Sequence, residues 1–133
     1  MAAHQQLTRE WWQTRRLDFE LFTSRIAVEE AIRGNQAEGR IRGDVLAEVT
    51  RLAVSPAVEA LVPSLLRATG LPLQVYADMS HVAVATIHGM QYLLTWNCRH
   101  IANARILPRL NRACREHGYE PPVICTPEQL MGE

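Results

Sequence analysis

Residues 92–104 read Tyr92-Leu93-Leu94-Thr95-Trp96-Asn97-Cys98-Arg99-His100-Ile101-Ala102-Asn103-Ala104. An apolar run of strand length, 92–96, ends in a polar, metal-compatible cluster and then enters a predicted helix. A continuous apolar run is what a parallel strand covered on both faces requires. Upstream, Ala77-Asp78-Met79-Ser80-His81 leads into a stretch over 82–87 that is apolar nearly all round. That pattern predicts a helix over 75–88 sandwiched between layers rather than half exposed, closed by Gly89.

The reading extends in both directions. Downstream, 99–117 predicts a helix, or a helix pair divided at Pro108, with Leu107, Leu110, Cys114 and His117 on one face and Gly118 as its stop. Pro121-Pro122 leads into a strand over 123–125. Thr126-Pro127-Glu128-Gln129 fits a capping box opening a short terminal helix. Upstream, Ser55-Pro56 starts a helix striped by Val58, Leu61, Val62, Leu65 and Leu66. Pro63 inside it predicts a kink or break, and Gly70-Leu71-Pro72 ends it. A strand is expected over 52–54. Before it, Asn35 and Glu38 form a possible capping pair for a helix weakened by Gly39 and Gly43. Ser24 is an N-cap for a helix over 26–33 ending at Gly34. A strand is expected over 19–23, preceded by a helix over 3–17 that carries Leu7, Trp11 and Trp12 as core or interface residues.

Strands alternate with helices throughout, which implies one α/β domain over 1–133 with a mostly parallel sheet. The chain has 133 residues, enough for a single core. Its 14 basic residues, all Arg, balance 14 acids, so bulk electrostatic capture of nucleic acid is excluded and only a local basic strip remains open. Arg105, Arg109 and Arg112 are the candidates for such a strip, with a solvated helix face as the plain alternative. The three cysteines, Cys98, Cys114 and Cys125, lack paired spacing, which points to a reduced, cytoplasmic compartment. No secretory leader and no membrane-length apolar run is visible, so no membrane partner is expected. Cys98 and His100 are soft-ligand types, but Cys114 and Cys125 lack the spacing to complete a zinc site.

In a parallel α/β sheet, sites gather at the carboxyl ends of strands. The polar residues near such ends are Glu29 and Glu30, Asp78, and Asn97. Carboxylates scattered in sequence but gathered in space suit a hard cation such as Mg²⁺ or Mn²⁺, which can activate water for phosphodiester cleavage. Each also has a plain structural reading. Glu29 and Glu30 fit a solvated helix face, Asp78 a first-turn acid favoured by the helix dipole, and Asn97 a turn or cap residue. His81, one turn after Asp78, is expected to hydrogen-bond to it.

Val28-Glu29-Glu30-Ala31-Ile32-Arg33-Gly34, Asp78 with His81 and the Ala/Val helix, and Thr95-Trp96-Asn97 together resemble three of the acidic motifs of the PIN-domain family. The resemblance spans roughly 4–133, with Glu30 the better match of its pair and Asn97 where Asp is commoner. It implies a PIN-like three-layer domain with a mostly parallel central sheet, like the metal-dependent ribonuclease toxins of toxin–antitoxin systems. It also implies catalytic and metal-binding roles for Glu30, Asp78 and Asn97, Mg²⁺ or Mn²⁺ as cofactor, and an RNA substrate and antitoxin protein as partners. The family's opening strand and its acid have no match in residues 1–18, where Glu10 lies mid-helix and Asp18 at the helix's far end. The expectation is an N-terminally truncated domain, from a late start site or a naturally short protein. Its central sheet has a gap and open edges, metal affinity is reduced, and cleavage is weak or absent. Homo-oligomerisation is the expected way to close the gap. The rival reading is a non-catalytic interaction module that pairs with itself or with an antitoxin-like helix.

Overall fold

A computed structural model describes residues 2–33, 36–95, 97 and 101–131, with backbone alone for 2–5, 36–39 and 41. The order is α1 (Ala2–Thr14), β1 (Phe22–Ser24), α2 (Arg25–Ala31), α3 (Gln36–Leu46), β2 (Thr50–Leu52), α4 (Pro56–Thr69), α5 (Tyr76–Ile87), β3 (Tyr92–Leu94), α6 (Leu107–Glu116) and β4 (Val123–Cys125), with short 3₁₀ turns before β1 and α5. The fold is α/β with parallel pairing, as expected. No continuous central sheet is formed among the described residues. Among the described residues there are two separate two-stranded parallel sheets, β1 with β2 and β3 with β4. Phe22 pairs with Thr50 and Ser24 with Leu52 in the first; Tyr92 pairs with Val123 and Leu94 with Cys125 in the second. No described strand lies between β1 and β3, so no ladder joins the two sheets.

The core sits on the α4–α5–α6 side. Leu65, Met79 and Leu110 are fully buried, joined by Val58, Val62, Val82 and Ile101. Each such side chain contributes about 1.5–3 kcal/mol through removal of apolar surface from water. Helix α5 is buried on nearly every face from Met79 to Thr86, because α4 packs on one side while α2 and β3 approach on others. Its all-round apolar sequence predicts that sandwiching.

Local signals explain most boundaries. Ser24 caps α2, its hydroxyl accepting from Ala27 N–H at 3.2 Å, and Ser55 caps α4, accepting from Val58 N–H at 3.4 Å. Gly70 ends α4 in the left-handed region at φ 68°, where a Cβ is disfavoured. Pro63 does not break α4, which runs unbroken through it. Pro63 lies on the exposed face, so its ring clears the core while Leu61, Val62 and Leu65 hold the helix in place.

Other expectations shift. Pro108 opens α6 instead of dividing a longer helix, because its missing N–H is tolerated in the first turn. Residues 101–106 are turns. The capping box at Thr126 forms: Thr126 N–H donates to Gln129 Oε1 at 2.9 Å and Gln129 N–H to Thr126 Oγ1 at 3.4 Å. Only turns follow it, not a helix. Helix α3 forms despite its glycines, and Gly43 leaves room for Ile32, whose Cγ2 would lie 2.9 Å from an added Cβ. Gly34, Asn35, Trp96, Cys98 and His100, with the readings placed on them, lie outside the described residues, as does the side chain of Glu38. No described helix is long and apolar enough to cross a membrane.

Candidate functional site

A cleft of about 920 Å³ opens between the two sheets. Strands β1 and β3 border it along their full lengths, while β2 contributes only Leu52 and β4 contributes none of its described residues. The edges of β1 and β3 that face away from their partners therefore form its two long sides. Trp11 of α1, Val84 and Ala85 of α5, and Ile101 make its floor and walls largely apolar.

Glu30, Asp78 and Asn97 all line this one cleft. Glu30 sits on α2, the helix that leaves β1. Asp78 occupies the first turn of α5, half-buried. Asn97 follows β3, half-buried, and its backbone N–H donates to Thr95 Oγ1 at 3.0 Å. Glu29 and Glu30 are both exposed, and Glu29 is not among the described residues bordering the cleft. His81, expected to pair with Asp78, instead meets Glu30, Nε2 to Oε2 at 2.9 Å. The correction has a simple cause. Helix α2 packs against α5 and brings Glu30 over the His81 ring, which is only 16% exposed.

Two carboxylates and an amide are hard oxygen donors of the kind Mg²⁺ or Mn²⁺ prefers. Glu30 already engages His81, and among the described residues no group of three or more His, Cys, Asp or Glu could hold a metal. The site as built sets polar and anionic side chains around a largely apolar slot.

Sequence reasoning missed the aromatic wall. Phe19 bridges Trp11 and Tyr92, with centroids at 5.6 Å and 5.9 Å, the second pair edge to face. Phe19 was expected inside a strand. It lies before β1 because the ladder with Thr50–Leu52 holds only Phe22–Ser24. Asp18 and Glu20 flank Phe19 and also line the cleft. Their signal was present as acids on both sides of an aromatic residue, but only the fold turns them toward the slot. Trp11 is 3% exposed, and its indole Nε1 has no hydrogen-bond partner among the described residues. Trp12 is half-buried under the Arg16 guanidinium, 4.9 Å from its ring centroid.

The three arginines weighed as a solvated face or a basic strip do not share one helix. Arg105 lies in the turn before α6, Arg109 reaches back to the Thr69 carbonyl at 3.5 Å, and Arg112 is exposed. Cys114 and Cys125 are free and buried, and burial pushes both thiols above their usual range. Compared with protein-family models, with curated proteins and with solved structures, the chain matches none of them.

Proposed function

We propose that this chain is a PIN-like domain of the kind found in metal-dependent ribonucleases of toxin–antitoxin systems, with weak or no cleavage of its own. One observation carries the reading: Glu30, Asp78 and Asn97, far apart in sequence, line one cleft beside the strands that precede or follow them. The low activity follows from the donor set. Phosphodiester hydrolysis by the metal route needs carboxylates free to hold a cation that activates water. Here Glu30 is hydrogen-bonded to His81. Incubation of the purified chain with RNA oligonucleotides in millimolar Mn²⁺ tests this. Turnover at or near background is expected, and any residual cleavage is lost in Asp78→Ala. Robust cleavage that depends on Asp78 overturns the low-activity reading; cleavage that ignores Asp78 overturns the site.

A second reading is a protein-interaction module, a homodimer or the receptor of an antitoxin-like partner. The open edges of β1 and β3 on the cleft favour it, since unpaired strand edges are templates for another chain. The two readings separate by linkage. A rise in Tm with millimolar Mn²⁺ marks an occupied metal site, and its absence favours the interaction module.

A further inference from the structure

We propose that the cleft between β1 and β3 receives an extended peptide as an added β-strand, apolar at its centre and basic at both ends. The proposal rests on the interaction reading above and does not need the nuclease reading. Three independent features point to this occupant.

The first is hydrogen bonding. Each of β1 and β3 has one paired neighbour among the described residues, and both border the same cleft from Phe22 to Ser24 and from Tyr92 to Leu94. A strand with one neighbour directs half its backbone donors and acceptors at the open side. An inserted strand satisfies both edges at once and merges two marginal pairs into one five-stranded sheet. A helix keeps its hydrogen bonds to itself and leaves both edges unpaired.

The second is the buried indole. Trp11, 3% exposed, lines the slot, and its indole Nε1–H has no hydrogen-bond partner among the described residues. A strand carries backbone carbonyls that accept from such a donor, and a purely apolar side chain does not.

The third is charge. The chain as a whole has equal numbers of Arg and acids. The described residues lining the cleft include Asp18, Glu20, Glu30 and Asp78, and no Arg. Asp18 and Glu20 precede β1 and Glu30 follows it in the chain, so acids flank the strand that borders the slot. That field attracts a peptide with cationic ends and repels a phosphate backbone.

The test uses the palindromic peptide Arg-Val-Thr-Val-Thr-Val-Arg, acetylated and amidated, so strand direction is immaterial. Amide hydrogen exchange is read with and without millimolar peptide. Exchange at both β1 and β3 is expected to slow about tenfold, equivalent to about 1.4 kcal/mol. A control peptide with Glu at both ends, and one with Pro at its centre, should leave exchange unchanged. Slowing at neither edge, at one edge only, or equally with the Glu-ended peptide overturns the proposal. So does protection of both edges without peptide that grows with protein concentration, because a second copy would then be the occupant. Ala27→Trp, which fills the slot from α2, should abolish the effect. If that variant misfolds, the exposed pair Asp18→Asn with Glu20→Gln should weaken peptide binding several-fold, and undiminished binding counts against the charge argument. A Mn²⁺-independent exchange response with no RNA cleavage keeps this outcome distinct from that of the nuclease assay.

Discussion

At the scale of single residues, the cleft is governed by who pairs with Glu30. Its carboxylate meets His81 in a half-exposed pair, worth at most about 1 kcal/mol to stability. His81→Ala should therefore move the urea midpoint little, and its effect should appear at the cleft, where Glu30 is released. If the low activity stems from that engagement, His81→Ala gains Mn²⁺-induced thermal stabilisation that the parent chain lacks. The core behaves differently. Leu65 is fully buried between α4 and its neighbours, so Leu65→Ala should cost about 2–5 kcal/mol by denaturant unfolding. Cys114 is buried too. Loss of hydration raises its thiol pKa, with the Thr86 hydroxyl at 3.6 Å opposing the shift. The sign follows from linkage. A raised folded-state value means that the fold favours the neutral thiol. Its stabilisation is complete below the unfolded thiol value of about 8.5 and is lost as pH rises toward the folded value. Unfolding midpoints should fall above about pH 8.5, less steeply in Cys114→Ala. The same burial makes Cys114 slow toward iodoacetamide until urea opens the fold.

At the scale of elements, caps and breakers were legible because their physics is local. Ser24 and Ser55 needed only the chain around them to be recognised, and both hydroxyls accept the expected N–H. Ser55→Ala should cost about 1 kcal/mol in chemical denaturation. Gly70, at φ 68°, should cost about 1–2 kcal/mol when replaced by Ala. Pro63 does not break α4 because a helix breaker acts against whatever else holds the helix. Here Leu61, Val62 and Leu65 dock α4 on the core and outweigh the lost hydrogen bond. Its exposed ring packs little, so Pro63→Ala should stabilise the protein by about 1–3 kcal/mol, and a lowered Tm would show that the ring has a packing role. Strand lengths were misjudged for a related reason. The run 92–96 predicts a strand of its own length, but β3 lasts only as far as Val123–Cys125 runs beside it, plus one bond from Thr95 N–H to the Cys125 carbonyl at 2.9 Å. A strand is as long as its partner allows.

At the scale of the whole molecule, two small parallel sheets flank a slot while three helices carry the core. Isolated two-stranded sheets are marginal, so the helical side should hold the slowest-exchanging amides and β1–β2 should open first. Native-state hydrogen exchange checks this: amides of α4 and α5 should exchange only through global unfolding, and those of β1 through local opening. The opening stretch, 92–104, announced an α/β chain, and the alternation of strands and helices, the caps and the apolar α5 could all be read from residue order. These follow from periodicity and near-neighbour hydrogen bonding, which a linear sequence carries in full. Residue order did not show that Phe19 leaves its strand to bridge Trp11 and Tyr92. Nor did it show that His81 turns to Glu30, or that Asp18 and Glu20 join Glu30 and Asp78 around one slot. Those outcomes depend on which distant segments meet, and that is decided by the packing of α2 on α5 and by which strand edges find a partner. The kinds of element and their capping are set by forces that act within a few residues, and residue order carries them. Which side chains meet across the slot is set by pairing and burial, which act across the whole chain.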